Sequence, residues 1–135
     1  MDSWELGTRA QALLELDSPS YSVFSSNSLP PPSKIPTSVT SPIAPVLSIA
    51  NAIVSNRTIS NNGISGPQPL IQDGSAADPA SIGVAVLLAN WTGQGGVDHL
   101  DFGGAATDQL DFLYQKVPRT NDGAFSHRVS EVQLW

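Results

Sequence analysis

Along most of the chain, apolar positions recur at intervals of three and four residues, which is the spacing of a helix with one buried face. Residues 3–16, 42–55 and 100–117 show this spacing, and we predict a helix in each of them. A helix is also predicted over residues 79–91, which are apolar at most positions. Pro19 and Pro118 close the segments 3–16 and 100–117, because proline removes a backbone donor and clashes with the preceding turn. A further helix is predicted to begin near Ser130. The pattern therefore indicates an all-α protein built from helical hairpins.

The third predicted helix differs from its neighbours because it lacks a polar face. Residues 82–89 are apolar at every position except Gly83, so this helix is expected to be buried all round. A β-strand over 84–88 is the competing interpretation. Asp78 as an N-cap and Pro79 at the first helical position favour the helix. One fully buried helix among amphipathic neighbours is typical of a two-layer helical toroid rather than of a simple bundle.

The predicted helices are joined by long polar loops. Residues 19–40 are rich in proline and serine and are interpreted as a surface loop within the domain; a proline-rich ligand motif is the minority alternative. Residues 57–73 form a second polar loop, and long loops in compact domains are usually functional or disordered. The caps of the fourth helix are predicted to be Asp98 and Asp101, with the spacing of a capping box.

Composition and charge exclude several classes of partner. Only 13% of the 135 residues are charged, against roughly 25% in ordinary domains, and the net charge is −6. The six cations are scattered, so no basic patch exists to bind nucleic acid. No apolar run is long enough to span a membrane. The abundant uncharged polar residues are common in secreted, carbohydrate-active proteins, so an extracellular location is expected, although no signal peptide is visible.

Neither a metal site nor a cofactor site is predicted from the sequence. There is no cysteine, and His99 and His127 do not have the spacing of metal ligands. Neither a Gly-x-Ser-x-Gly motif nor a glycine-rich phosphate loop is present. Two glycosylation sequons occur, at Asn56 and at Asn90. Because Asn90 falls on the helix predicted to be buried, Asn56 is the preferred acceptor.

Three stretches carry a likeness to a known family: residues 4–16, residues 78–83, and residues 117–128 followed by 133–135. In order and spacing they resemble the six-hairpin glycosidases of the (α/α)6-barrel type, in particular fungal proteins grouped with the unsaturated rhamnogalacturonyl hydrolases, glycoside hydrolase family 105. In that family an Arg-Thr-x-x-Gly-Gly-Phe-x-His stretch precedes a Trp-x-Asp-x-x-Tyr-Met helix. The matching residues here are Arg119, Thr120, Gly123, Phe125, His127 and Trp135, with Ala124 in place of the second glycine.

The resemblance implies a hydrolase that acts on the unsaturated uronic-acid ends of pectin (rhamnogalacturonan) oligosaccharides. In that chemistry a carboxylic acid protonates the C4=C5 vinyl ether, water adds at C5, and the resulting hemiketal opens to release the sugar. The family's general acid is an aspartate two residues after the matched tryptophan, which places it beyond Trp135. Residues 1–135 are accordingly expected to be a fragment of a single (α/α)6-barrel catalytic domain. They would make up less than half of that domain and are expected to be inactive alone.

Five residues of this chain are candidates for the site, of which Asp78, His127 and Trp135 match positions of the family. Asp78, with Gly83 five residues later, matches the family's second carboxylate. The alternative is a purely structural role as a helix N-cap. His127 and Arg128 are candidates for contacting a uronate carboxylate, against a packing role and a solvated charge. Trp4 and Trp135 are candidate sugar-stacking platforms, and core packing is the alternative for each.

A second hypothesis, of a different class, is a non-catalytic helical protein that binds carbohydrate or acts as a scaffold on a degenerate barrel. Fold alone does not distinguish it from an enzyme. An aspartate two positions after Trp135 in a longer chain favours the hydrolase. A serine, asparagine or glycine at that position favours the non-catalytic protein. On either hypothesis the partner is an oligosaccharide, together with the remainder of the barrel.

Overall fold

The computed structural model describes residues 2–26, 43–60, 62–93, 100–130 and 132, without the side chains of 58–60. Within these residues there are four α-helices: α1 (Ser3–Asp17), α2 (Ala44–Ser60), α3 (Gly83–Trp91) and α4 (Phe102–Gln115). Short 3-10 helices lie at Pro19–Tyr21 and Asp78–Ile82. The only β-pairing in the described part of the chain is two isolated bridges. The predicted all-α class is confirmed.

Helix α1 has almost the predicted bounds and packs unusually closely against the 3-10 helix Asp78–Ile82. Its first turn is fixed by Glu5, whose Oε2 accepts a hydrogen bond from the backbone N–H of Asp2 at 2.8 Å. Gly7 lies on the buried face. A Cβ atom added to Gly7 would lie 2.9 Å from the carbonyl carbon of Ser81, so α1 approaches the 3-10 helix at a distance that only glycine permits.

Helix α2 is longer than predicted, since it continues past residue 55 to Ser60. No glycine or proline interrupts the sequence from 46 to 62, and the last turn is held by Arg57. The Nη2 atom of Arg57 donates to the carboxylate of Asp108 on α4 and to the carbonyl oxygen of Gln68 at 3.3 Å. Tertiary contacts therefore extend a helix whose polar last turn was predicted to be loop. The predicted cap at 41–42 lies outside the described residues.

Replacing Asp108 with alanine is expected to lower the free energy of unfolding by about 1–3 kcal/mol. The Arg57 side chain is only 14% exposed, and a mostly buried charge that loses its partner keeps its desolvation cost. Chemical denaturation of the variant and of Asp111→Ala, on the same helix, measures the difference. Equal stabilities of the two variants would contradict this role for the ion pair.

Helix α3 lies at the centre of the core, as predicted. Its buried residues Ala85, Val86, Leu88 and Ala89 belong to one apolar cluster that includes residues of α1, α2 and α4. Only Asn90 on this helix is exposed. The β-strand alternative over 84–88 is wrong, and the prediction of a helix with no broad polar face is confirmed.

The start of this segment differs from the prediction. Residues 78–82 form a 3-10 helix that leads into α3, and Asp78 lies inside its first turn rather than capping it. The N-cap position is occupied by Ala77, which has no capping side chain, and the Oγ of Ser75 accepts a hydrogen bond from the backbone N–H of Asp78 at 3.4 Å. The predicted N-cap role of Asp78 is therefore wrong, and its carboxylate forms no cap hydrogen bond.

Helix α4 begins at Phe102, later than predicted, and ends at Gln115. Its N-cap is Asp101, whose Oδ1 accepts a hydrogen bond from the N–H of Gly104 at 2.7 Å, while Asp98 lies outside the described residues. The buried face contains Phe102, Ala105, Gln109 and Phe112. Leu110 is 56% exposed although it is apolar. The neighbouring Gln109 is buried, and its Oε1 accepts a hydrogen bond from the N–H of Leu70 at 2.9 Å.

The predicted loops are described only in part. Of the proline- and serine-rich loop, residues 19–26 are described and contain the 3-10 helix Pro19–Tyr21, whereas 27–42 lie outside the described residues. Ser130 and Val132 are not helical, and the rest of the last predicted helix lies outside the described residues. In the described part of the chain, no helix has the length and apolar character needed to cross a membrane.

Candidate functional site

A polar cleft forms where the start of α1 meets two extended segments from distant parts of the sequence. The backbone N–H of Ala76 donates to the carbonyl oxygen of His127 at 2.9 Å, and that of Val129 donates to the carbonyl oxygen of Gly74 at 3.2 Å. Between these bonds Ser75 and Arg128 form an antiparallel bridge. The pairing fixes Arg128 beside the segment that leads into the 3-10 helix Asp78–Ile82.

The cleft has a volume of about 150 Å³. Three carboxylates, one guanidinium, one hydroxyl and one indole line it: Asp2, Asp73, Asp78, Arg128, Ser75 and Trp4. Three of these, Trp4, Asp78 and Arg128, are residues that the sequence singled out. The chain thus brings together side chains from both of its ends and from its middle.

Asp73 ties the cleft to α1. Its Oδ2 accepts a hydrogen bond from the backbone N–H of Ser3 at 3.2 Å, and its Oδ1 accepts one from the N–H of Ser75 at 3.0 Å. A carboxylate at the first turn of a helix is favoured by the helix dipole. Asp73 lies in a polar loop and was not predicted as a site residue. Its signal was the Asp73-Gly74-Ser75 turn, a pattern in which the aspartate bonds to the backbone two residues on.

Trp4 and Arg128 both lie at the protein surface. The Trp4 side chain is 52% exposed, so the alternative of core packing is wrong for this residue. Arg128 is exposed as well, and no ion pair of its guanidinium occurs among the described residues. The cleft therefore contains an exposed guanidinium without a direct ion pair to any described residue, together with an exposed indole ring and three carboxylates.

The remaining residues that the sequence suggested for the site, His127, Trp135 and Asn56, are not among the described residues that line the cleft. His127 is half-buried, and its backbone carbonyl holds the bridge to Ala76. Trp135 lies outside the described residues. Asn56 is exposed on α2 and borders a different, more apolar cleft of about 250 Å³.

The prediction that Asn90 of the second sequon is buried is wrong, because Asn90 is exposed. Its threonine, Thr92, is buried, and the Thr92 hydroxyl donates to the carbonyl oxygen of Leu88 at 2.8 Å. A sequon whose hydroxyl is buried and bonded within the helix is a poor acceptor in the folded protein. Asn56 stays the preferred acceptor for this reason and not for the burial of Asn90.

The carboxylates of the cleft differ in their hydrogen bonds. Both oxygens of Asp73 accept hydrogen bonds from backbone N–H groups, whereas the carboxylate of Asp78 forms no cap hydrogen bond. Across the ranges that the structure describes, no three side chains of His, Asp or Glu are grouped so that they could hold a metal ion.

Comparison of the chain with models of known protein families, with characterised proteins and with solved structures gives no match. A functional assignment therefore depends on the geometry of the cleft and on the motifs in the sequence. Fold by itself does not fix function.

Proposed function

We propose that this protein is part of an (α/α)6-barrel glycoside hydrolase that acts on unsaturated uronic-acid-terminated pectin oligosaccharides, and that the cleft binds the uronate end. One observation carries the proposal. Asp78, which matches the family's second carboxylate, lines the same cleft as Trp4 and Arg128, which the sequence suggests for contacts with an acidic sugar. An extracellular location goes with such a substrate.

Arg128 is the proposed partner of the uronate carboxylate. A guanidinium presents a planar fork of N–H donors that binds a carboxylate through two parallel hydrogen bonds. The three aspartates of the cleft would repel a carboxylate placed elsewhere, so the cation also orients the ligand. Trp4 offers an exposed ring on which the apolar face of a sugar packs, with the indole N–H at its polar edge.

Asp78 is the proposed second carboxylate of the reaction. In the proposed mechanism the acid, an aspartate two positions after Trp135, gives its proton to C4 of the vinyl ether. Water adds at C5, and its proton returns to the carboxylate, so that the acid is regenerated. The hemiketal then opens and the sugar leaves. Asp78 would accept a hydrogen bond from the attacking water and hold it at the face of the ring.

The binding part of the proposal is tested by calorimetric titration with an unsaturated rhamnogalacturonan disaccharide. Arg128→Gln is expected to weaken binding about tenfold or more, because a hydrogen bond to a charged group contributes about 1.5–3 kcal/mol. Arg9→Gln is the matched control, since Arg9 is an exposed arginine on α1 away from the cleft. Equal affinities of the two variants would overturn the assignment of the cleft.

The catalytic part is tested by following loss of the absorption of the conjugated C4=C5 bond. The 135-residue chain is expected to bind the disaccharide without hydrolysing it. A longer chain with the expected aspartate should hydrolyse it, and asparagine at that position should abolish turnover. Hydrolysis by the 135-residue chain above a heat-treated control would show that the acid is assigned wrongly. Binding without turnover by the longer chain would establish the non-catalytic alternative.

A further inference from the structure

A second group of side chains with binding chemistry lies away from the cleft, at the end of α4 and on the turn that follows. Tyr114, Arg119 and Phe125 form what we call the arginine–aromatic cluster. The Cζ atom of Arg119 lies 4.0 Å from the centroid of the Phe125 ring and 5.7 Å from that of Tyr114. The two ring centroids are 5.6 Å apart, with the ring planes at 78°. The guanidinium is thus held by two rings at once.

The cluster is open to solvent. The exposed fractions are 66% for Tyr114 and 39% for Phe125, and Leu110, one helical turn before Tyr114, is exposed too. Isolated exposed apolar residues are ordinary, but a contiguous group around a cation is a marker of a binding surface. The mixture of aromatic rings and arginine is also the composition that dominates binding energy at interfaces.

The charge of Arg119 is not neutralised within the described residues. Its guanidinium has neither a hydrogen bond nor an ion pair there, and its contacts are the two rings. Asp122, the acidic residue of the same turn, accepts a hydrogen bond from the hydroxyl of Thr120 instead. This bond lowers the pKa of the Asp122 carboxyl below its ordinary value. The N–H edge of Arg119 is therefore available to an anion from outside.

The turn that carries the cluster is held in one shape by hydrogen bonds across it. The N–H of Thr120 donates to the carbonyl oxygen of Ala124 at 3.0 Å, and the N–H of Ser126 donates to that of Pro118 at 2.8 Å. The hydroxyl of Thr120 also accepts from the N–H of Ala124 at 3.0 Å. Gly123, with φ +90°, supplies the left-handed position of the turn. A ligand therefore meets a surface that is already ordered, which reduces the entropy cost of binding.

We infer that the arginine–aromatic cluster is a second sugar-binding site, which takes a carboxylate-bearing pyranose of an acidic oligosaccharide. The N–H fork of Arg119 binds the carboxylate, and the exposed rings of Tyr114 and Phe125 contact the apolar face of the sugar. The two rings pack edge to face against each other, with their centroids 5.6 Å apart, so the sugar contacts their exposed outer surface and does not enter between them. The choice of an acidic sugar rests on the proposed function, whereas the site rests on the geometry of the three side chains.

The test is an NMR titration of the full chain with saturated oligogalacturonate, followed at the aromatic signals of Tyr114 and Phe125 and at the Arg119 side-chain N–H. A saturated ligand lacks the C4=C5 bond, so the result does not depend on hydrolysis. The expected result is a saturable shift of these signals. Its methyl ester, which has the same rings without the charge, should shift them at least tenfold more weakly. Equal shifts with the ester, or none with the acid, would overturn the inference.

Two variants and a second ligand sharpen the test. Arg119→Lys keeps the charge but loses the planar fork, and it is expected to weaken binding at the cluster about tenfold, whereas Arg9→Lys should have no effect. Tyr114→Leu removes one ring from α4 without altering the turn, and should weaken binding even if Arg119→Lys disturbs the turn. Triglutamate that shifts the same signals to the same extent would show a site for carboxylates in general and would overturn the assignment to sugar.

Failure of this inference is distinguishable from failure of the proposed function. The cleft is reported by the Trp4 indole signal with the unsaturated disaccharide, and the cluster by Tyr114 and Phe125 with the saturated acid. A shift at the cluster without a shift at Trp4 supports the second site and contradicts the proposed function. A shift at Trp4 alone gives the opposite result.

Discussion

Replacing Phe102 with alanine is expected to lower the free energy of unfolding by about 3–5 kcal/mol, the range for removing a buried aromatic ring. Phe102 is the largest of the fully buried side chains and is 1% exposed. It belongs to the apolar cluster around α3, so the cavity would open between α3 and α4. Since small domains have net stabilities of about 5–15 kcal/mol, this single change should remove a large part of the total.

The matched control is Leu110→Ala on the same helix. Leu110 lies on the exposed side of α4, and its truncation is expected to change the free energy of unfolding by less than about 0.5 kcal/mol. Urea denaturation followed by tryptophan fluorescence compares the two variants. If Leu110→Ala is as destabilising as Phe102→Ala, then the orientation of α4 described above is wrong.

Replacing Gly7 with alanine is expected to destabilise the protein by about 1–3 kcal/mol, the usual cost of overpacking. Helix propensity alone favours alanine over glycine by about 1 kcal/mol, so a net loss requires the contact with Ser81 to outweigh this gain. The new Cβ atom would lie 2.9 Å from the carbonyl carbon of Ser81, and backbone cannot move aside as a flexible side chain can. Helix α1 must shift away from the 3-10 helix, and the cleft between them should change shape.

Gly83→Ala is the control for helix propensity. Gly83 is also helical, with φ −54°, but nothing lies within 4 Å of an added Cβ. This variant is expected to be as stable as the original chain or up to about 1 kcal/mol more stable. Thermal denaturation of both variants gives the comparison. A Gly7→Ala variant that gains stability along with Gly83→Ala would mean that the close approach of α1 is not as described.

The sequence predicted the helices well wherever the apolar spacing alone decides the structure. Helix α1 and the central α3 follow directly from their patterns and from the prolines near them. The end of α2 could not be predicted, because Arg57 is helical only through its contacts with Asp108 and Gln68. The exposure of Leu110 does not follow from the apolar pattern either, because the burial of its polar neighbour Gln109 depends on a hydrogen bond with the backbone of Leu70, which is distant in sequence.

The candidate site was predicted only in part. Asp78 was selected by resemblance, and Arg128 and Trp4 by the chemistry of their side chains, but neither periodicity nor composition predicts that they share a cleft. Their proximity depends on the bridge between Ser75 and Arg128, which joins segments that local sequence rules do not connect. Asp73 was missed because its bond to Ser3 is a tertiary contact. The arginine–aromatic cluster likewise arises only when the turn folds back on α4.

The central claim is that the cleft binds the uronate end of an unsaturated pectin oligosaccharide. A crystal structure of the protein with the unsaturated rhamnogalacturonan disaccharide tests it most directly. We expect the uronate carboxylate to lie within hydrogen-bond distance of the Arg128 guanidinium, with the sugar ring against Trp4 and a hydroxyl or a water on Asp78. An empty cleft at saturating ligand, or a disaccharide with its carboxylate turned away from Arg128, would contradict the claim.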